Sequence, residues 1–396
     1  MPETVNASSS LPFDRVVDSS VYYDAATYEK EVSDIFGQSW LLACHESELT
    51  EPGDFVTTTL AGAPVIIARD KNRDLRAYLN VCRHRACKVV SEDAGHASAF
   101  RCPYHFWVYS LEGELVGLSG AKSYEGTGFE KSDHNLIEFT CESTLGLVFV
   151  HFGKAPTSVV EWLGPTVHST MATPLANAEF TVISRWSMEM PVNWKVFAEN
   201  VRDGYHVPFV HPFFRAASPA GRYSLHDNGH AVQQLGMDPE GMEPELWEQL
   251  RKNPLPGVEV GDGYIVNLFP DSTVTLRSNV VSIDTQHVLS PDKVVLHNLT
   301  LGLVGDDDEV MENRKLAQKT WFQNPLEIED YPIFLAQQEG LTSRKLPYSV
   351  IARGQDASEG ERGDDNRLRQ FWSQWRLLMG TKFNSLSDVQ PGSVDA

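Results

Sequence analysis

Several things are scarce in this 396-residue chain, and each scarcity narrows what it does. Cysteine is one: five residues, an odd number, do not make a disulfide scaffold and fit reduced thiols. Positive charge is another. Against 54 Asp and Glu stand only 33 Lys and Arg, a formal charge of −21 that argues against general binding to nucleic acid or to anionic membranes. No apolar run approaches the roughly 20 residues of a membrane span. The opening segment, MPETVNASSSLPFDR, has neither the basic part nor the apolar stretch of a secretory signal, so the expected location is cytoplasmic. No repeat at solenoid periods is visible. No Rossmann fingerprint is visible either, which leaves any NAD(P)H to a partner protein.

What is present is a chain too long for one comfortable core, so two domains are expected. Residues 1–20 read as a flexible lead, and a helix is expected between Tyr22 and Trp40. From 41 to 155 short β-type runs alternate with turn residues, as in Phe55–Thr59, Pro64–Ala68, Ala77–Leu79, Val108–Tyr109 and Leu145–Val150. Two hooks fall on turns of this all-β stretch: Cys82-Arg83-His84 and Cys102-Pro103-Tyr104-His105. Two cysteines and two histidines can close around one structural zinc. They can equally divide between the two irons of a Rieske [2Fe–2S] cluster. The hooks alone leave both readings open.

Beyond 156 a strand is expected at Phe180–Ser184, a helix from about Asn193 to His206 ending near Pro208, and a loose connection over 215–260. Strands return between Tyr264 and Leu303, followed by helices to about Phe322, from Pro325 to Gly340 and from Asn366 to Met379. The tail from Asn384 reads as disordered. This second part is therefore α+β, a sheet with helices. In the expected helix before Pro208, Asp203 and His206 at i and i+3 would share one face, with His211 curling back beyond the proline. Two imidazoles beside a carboxylate make a cation site suited to iron, although such a pair also arises as plain surface or capping residues.

Taken together the two sets are more specific. The chain resembles the large (α) subunit of Rieske non-haem iron ring-hydroxylating oxygenases. The Rieske pattern C-x-H-R…C-P-Y-H-x-W stands here as Cys82-Arg83-His84-Arg85 and Cys102 to Trp107. The pattern E-N-x-x-D-x-Y-H-x-x-x-x-H stands as Glu199 to His211, and part of D-x-x-x-x-E-x-x-Q-x-G as Asp330, Gln338 and Gly340. The resemblance runs from about residue 25 to 380. It implies an α+β fold in which a Rieske all-β [2Fe–2S] domain (41–155) is inserted in a catalytic domain (1–40 and 156–396) with a curved antiparallel β-sheet and helices, a helix-grip. It implies a [2Fe–2S] cluster on Cys82, His84, Cys102 and His105, and mononuclear non-haem Fe(II) on His206, His211 and Asp330. Asp203 would be the catalytic bridging acid, hydrogen-bonded to His206 and reaching a Rieske histidine of a neighbouring subunit.

The implied activity is that of a terminal oxygenase component. It would take O₂ and electrons from a ferredoxin or NAD(P)H-dependent reductase to hydroxylate or cis-dihydroxylate an aromatic substrate, within a homotrimer (α3) or an α3β3 assembly. A Rieske monooxygenase or N-demethylase acting on a non-aromatic amine is the nearest alternative, though such enzymes often carry Glu as the bridging acid. A non-catalytic Rieske carrier would have no use for residues 160–380. Some positions depart from the family pattern. Ala86 and Phe106 stand where Gly is usual, Leu335 where Glu is usual, and Pro332 lies close to Asp330, with Glu327 and Glu329 as nearby substitutes. Arg83, Arg85, Lys88 and Arg101 form either a landing patch for an acidic ferredoxin or ordinary surface. A substrate pocket is expected from Asn200, Val207, Phe209, Phe269, Leu276, Arg277, Trp321 and Phe322. Arg277 would receive a substrate carboxylate or pair with an internal acid.

Overall fold

The computed structural model describes residues 13–217, 221–236, 238–361 and 363–380, without the side chains of 13, 215–217, 239, 249 and 250. The first twelve residues of the expected flexible lead and the tail from Asn384 lie outside the described residues. Among the described residues no helix is long and apolar enough to cross a membrane. The chain divides into two compact units: Phe36–Trp162 with Glu179–Val182, and the remainder, 1–35, 163–178 and 183–396.

The Phe36–Trp162 unit is built on β-sheet. A seven-stranded sheet runs in the order Leu41–His45, Leu147–His151, Glu138–Thr144, Leu75–Leu79, Ala63–Arg69, Asp54–Leu60, Ala94–His96. A smaller sheet pairs Phe100–Arg101, Val108–Tyr109 and Leu115–Gly117. Phe55, Ile66, Tyr78, Phe100, Trp107 and Tyr109 pack into one core cluster that also encloses Cys82 and Cys102. The hooks follow the ends of strands in this core, so their backbones are anchored while their histidines reach outward.

The second unit carries an eight-stranded sheet, antiparallel at each described pairing. Its order is Phe180–Met190, Lys293–Leu303, Val280–Ser290, Ser272–Arg277, Asp262–Leu268, Ala231–Gly236, Gly221–Leu225, Glu359–Glu361. This is the α+β class that the sequence implied. Several local expectations change. The lead is ordered from Phe13 onward, since Val16–Asp18 pairs with Tyr348–Val350 and buries Val16 and Val17. The connection 215–260 is not loose throughout, because Gly221–Leu225 and Ala231–Gly236 add two strands to the sheet. The last strand expected before Leu303 is eleven residues long, Lys293–Leu303.

The expected helix from Asn193 to His206 is the main correction. It stops at Asn200, and a short second helix occupies Val207–Val210. Asp203 and His206 thus sit on the turn between helices and share no helix face. The reason is local. Gly204 disfavours helix, and the Asp203 carboxylate takes the Tyr205 amide at 2.7 Å, a turn contact that competes with the helical ladder. Pro208 opens the next helix instead of closing the first, since the missing amide costs nothing in a first turn.

A buried network fixes this segment. Asn193 caps the helix Trp194–Asn200, its side chain accepting from the Lys195 amide at 3.0 Å. Glu31 takes Lys195 Nζ at 2.6 Å, Trp194 Nε1 at 2.9 Å and Trp375 Nε1 at 2.7 Å. Glu199 accepts from the Tyr22 hydroxyl and from Trp372 Nε1, both at 2.7 Å. Helices Ala25–Asp34 and Asn366–Leu378 therefore clamp the segment that leads into Asp203 and His206.

Candidate functional site

The two hooks fold into congruent loops. In each, the cysteine amide bonds a carbonyl five residues on, Cys82 to Cys87 at 2.8 Å and Cys102 to Trp107 at 2.9 Å. In each, the cysteine carbonyl accepts an amide four residues on, from Ala86 at 3.0 Å and Phe106 at 3.1 Å. Ala86 and Phe106 occupy the same place in the two loops and both have φ of 55°, the left-handed region that favours glycine. The departures from the family pattern thus keep the turn shape and take the strain. Phe106 does so with an exposed ring stacked under Arg101, 5.0 Å from its guanidinium carbon.

The loops bring His84 Nδ1 and His105 Nδ1 to 3.1 Å. Trp107 stacks on His84 with centroids 4.9 Å apart, and Tyr104 covers His105 at 3.7 Å. Both cysteines are buried, and Tyr109 Oη lies 3.4 Å from Cys82 Sγ. Burial pushes the Cys82 thiol up, so binding a metal there releases a proton.

Zinc and a two-iron cluster are separable on this geometry. Around one zinc, four donors at about 2.0–2.3 Å would all lie within about 4 Å of one another. Among the described residues the only three or more His, Cys, Asp or Glu donors within 4.8 Å of each other are those of His206, His211 and Asp330. The hook residues therefore do not share one centre. They fit a pair of thiolates and a pair of imidazoles on separate irons.

The second set does converge. His206 Nε2 and His211 Nε2 are 3.2 Å apart, and Asp330 Oδ1 lies 3.2 Å from His211 Nε2 and 3.7 Å from His206 Nε2. Three ligands held about 2.1 Å from one ion at 90–110° would stand about 3.0–3.4 Å apart, so the donors fit a facial site with positions left open. Asp330 comes from a widened stretch of helix. After Asp308–Gln318 the chain takes π-helical turns at Lys319–Gln323 and Pro325–Asp330, then continues as Tyr331–Thr342. Pro325 and Pro332 lack amide hydrogens, which accounts for the broken ladder, and such widened turns recur at functional sites. Leu335 is partly exposed on the last helix, so the loss of the family's Glu does not touch the donor set.

Supporting contacts surround the three donors. Glu329 is not a substitute ligand: its Oε2 holds His211 Nδ1 at 2.6 Å, on the side away from Nε2. Asp203 Oδ2 stands 3.5 Å from His206 Nδ1. Asn200 Nδ2 donates to Asp330 Oδ1 at 3.3 Å. Burial would lower the His211 pKa, but Asp330 and Glu329 outweigh it and hold it above the usual value. That surplus of negative charge is what a cation would neutralise.

A cavity of about 140 Å³ opens beneath the donors. Asn200, Val207, Arg277, Trp321 and Phe322 line it together with His206, His211 and Asp330. Three expected pocket residues do not. Phe209 is 71 % exposed and packs on Tyr205, because its short helix turns it outward. Phe269 is buried core against Phe371. Leu276 is buried between Thr275 and Arg277, which face the cavity, so strand alternation points it to the opposite side of the sheet. Unanticipated lining residues include Trp186, Phe197, Phe214, Gln233 and Asp284. For Gln233 and Asp284 the signal is sheet register, whereas Phe197 and Phe214 come from helices. Gln233 faces Ile265, which faces Thr275, and Asp284 faces Thr273.

Arg277 is the cation of this cavity. It is 4 % exposed, and its guanidinium carbon lies 5.0 Å from the Trp321 ring centroid and 5.9 Å from that of Phe214. Gly263 lies directly across the strand pair from it. A Cβ at 263 would stand 3.0 Å from Arg277 Cδ and 3.1 Å from Nη1, so the missing side chain makes room for the guanidinium. Two further donors belong to lining residues: Gln233 Nε2 and Trp186 Nε1 are buried without a hydrogen-bonding partner among the described residues.

Comparison with known proteins gives the family. Residues 177–379 match the ring hydroxylating alpha subunit (catalytic domain), and residues 39–126 match the Rieske [2Fe–2S] domain. The chain is 28% identical over 380 residues to the alpha subunit of 2-aminobenzenesulfonate 2,3-dioxygenase from Alcaligenes sp, covering 93% of this chain and 95% of that one. It is 28% identical over 403 residues to an alpha subunit of the terephthalate 1,2-dioxygenase terminal oxygenase component from Comamonas sp, covering 93% and 96%. In fold it is similar to naphthalene 1,2-dioxygenase from Rhodococcus sp., with TM-score 0.78, 23% identity and coverage of 93% and 95%. A quaternary ammonium Rieske monooxygenase bound to L-carnitine has the same fold, with TM-score 0.77, 22% identity and coverage of 93% and 96%. The chain belongs to the ring-hydroxylating alpha subunits, the terminal oxygenase components that carry a Rieske [2Fe–2S] cluster and a mononuclear non-haem iron and depend on an electron-donating partner.

Proposed function

We propose that this oxygenase hydroxylates an aromatic acid, with Arg277 receiving the carboxylate or sulfonate. The observation that carries this is a buried guanidinium facing the cavity beside the Trp321 and Phe214 rings, in a lining of mixed apolar and polar side chains. A planar anion meets a guanidinium with paired hydrogen bonds, while its ring packs on the aromatic side chains of the lining. The buried donors of Gln233 and Trp186, unpartnered among the described residues, add to this preference for an oxygen-rich substituent. Two relatives named for an anionic aromatic, an aminobenzenesulfonate and terephthalate, are consistent with it.

In this reading His206, His211 and Asp330 hold the iron, which when bound supplies the chemistry that activates O₂. Glu329 and Asp203 orient the two imidazoles from their Nδ1 sides. Asp203 also serves as the bridge toward a cluster histidine of a neighbouring subunit in a homotrimer or α3β3 assembly. Cys82 and Cys102 hold one iron of the cluster, and His84 and His105 the other. The exposed Arg83, Arg85, Lys88 and Arg101 around the cluster loops suit an acidic ferredoxin, or a reductase that takes electrons from NAD(P)H in the cytoplasm. Residues 41–155 form the Rieske domain, inserted between 1–40 and 156–396.

Holoenzyme with a surrogate reductase, offered benzoate, benzenesulfonate, naphthalene and L-carnitine, tests the reading. Hydroxylated product from the acids, strongly reduced by Arg277→Leu, is expected. Turnover of L-carnitine or naphthalene with neither acid consumed would sink it.

A further inference from the structure

The substrate cavity has an acid at one end as well as a cation at the other. Thr273, Thr275 and Arg277 alternate along Ser272–Arg277 and all face the cavity. Asp284, on the next strand, lies opposite Thr273, four residues along from Arg277. Four strand residues span about 13 Å, so the two charges sit toward opposite ends of the floor.

Asp284 is built into its place. Asn298, its cross-strand partner, donates from Nδ2 to Asp284 Oδ1 at 2.7 Å. Asn298 cannot readily turn its amide around, because Oδ1 accepts from Thr300 Oγ1 at 3.1 Å and from Gln318 Nε2 at 3.3 Å. Among the described residues no cation is paired with Asp284. Burial pushes its pKa up to about 6, the mark of a carboxylate with too few partners of its own. A buried carboxylate that faces the cavity with one such hydrogen bond is costly unless what enters the cavity brings a donor.

We propose that Asp284 is a specificity-determining residue that accepts a hydrogen bond from an N–H or O–H group on the substrate ring. The cavity then selects aromatic acids that carry an amino or hydroxyl substituent, with the anion on Arg277 and the donor on Asp284. This rests on the reading of the site as one for aromatic acids. The assignment comes from the register of two strands and the clamped amide of Asn298.

The test is calorimetric binding of benzoate and of 2-, 3- and 4-aminobenzoate to the iron-loaded enzyme, in wild type, Asp284→Asn and Arg277→Leu. A hydrogen bond to a charged acceptor predicts that at least one aminobenzoate binds wild type about tenfold more tightly than benzoate. Asp284→Asn, nearly the same shape, should bring that ratio below about threefold, since a neutral acceptor makes a weaker bond. The proposal is overturned if benzoate binds wild type but no isomer is preferred, a result that needs no variant to fold. It is overturned equally if the preference persists undiminished in Asp284→Asn. Failure of the aromatic-acid reading looks different: benzoate does not bind wild type, or Arg277→Leu binds every acid as well as wild type does. Either result removes this proposal too.

Discussion

Gly263→Ala should weaken binding of an aromatic acid while leaving the fold nearly as stable as before. The added methyl would meet Arg277 Cδ at 3.0 Å, Arg277 Nη1 at 3.1 Å and the Leu276 carbonyl oxygen at 3.1 Å. Carbon atoms prefer separations of about 3.5–4.0 Å, so the arginine stem must move by roughly 0.5 Å. The stem is flexible, but the guanidinium is held over Trp321, and displacement forfeits part of a contact worth about 0.5–2 kcal/mol. Replacing glycine inside a strand returns roughly 0.5–1 kcal/mol of backbone entropy, so the net change in stability is within about 1 kcal/mol. Affinity has no such offset. A guanidinium moved off the line of a planar anion loses about one charge-assisted hydrogen bond, roughly tenfold in Kd. Denaturant unfolding and calorimetric titration with benzoate, on the same preparation, measure the two effects. Unchanged affinity with the methyl accommodated would refute the claim that Gly263 sets the position of Arg277.

Ala86→Gly relieves a left-handed residue without removing a side-chain contact, and should stabilise by about 0.5–1 kcal/mol in denaturant unfolding. Phe106→Gly relieves the same φ but gives up the stack with Arg101, so it should gain less than Ala86→Gly. Glu329→Gln should weaken iron retention about 10- to 100-fold in a chelator competition, because Oε2 orients His211 through Nδ1. Burial pushes Glu199 up to about 7 from the usual carboxylate value. Between those two values the folded state keeps a proton that the unfolded state has lost, so stability falls as pH rises through the window and is level above it. Glu199→Gln should flatten that slope, worth roughly 2–3 kcal/mol, in unfolding measured from pH 4.5 to 8. An unchanged slope would place the titration elsewhere.

The cluster loops were legible because ligand chemistry fixes both residue type and spacing. The sequence even exposed the question at Ala86 and Phe106, though only the backbone could answer it, with φ of 55° at both. The turn at Asp203 was less legible. Helical spacing of Asp203 and His206 hid a Gly and an Asx-type contact to Tyr205 that together break the helix. Leu276 failed as a pocket residue because the parity of its strand was undetermined. Leu276 and Arg277 are neighbours in sequence and face opposite sides, and no single-strand argument says which side holds the iron. Asp284 went unread because the sequence does not say which residues of Val280–Ser290 face the cavity. The wide turns carrying Asp330 follow from Pro325 and Pro332, whose proximity to the ligand reads from sequence as a warning and in the structure as part of the design.

The central claim is that one chain carries two separate iron sites, with His206, His211 and Asp330 holding a metal distinct from the cluster. Iron and acid-labile sulfide per chain, measured with the visible spectrum on anaerobically purified wild type and Asp330→Ala, test it most directly. A [2Fe–2S] cluster plus one mononuclear ion predicts about three iron and about two sulfide in wild type. The variant should hold about two of each with its visible bands unchanged. A colourless zinc protein, or a variant that keeps its third iron or loses the cluster along with it, would contradict the account.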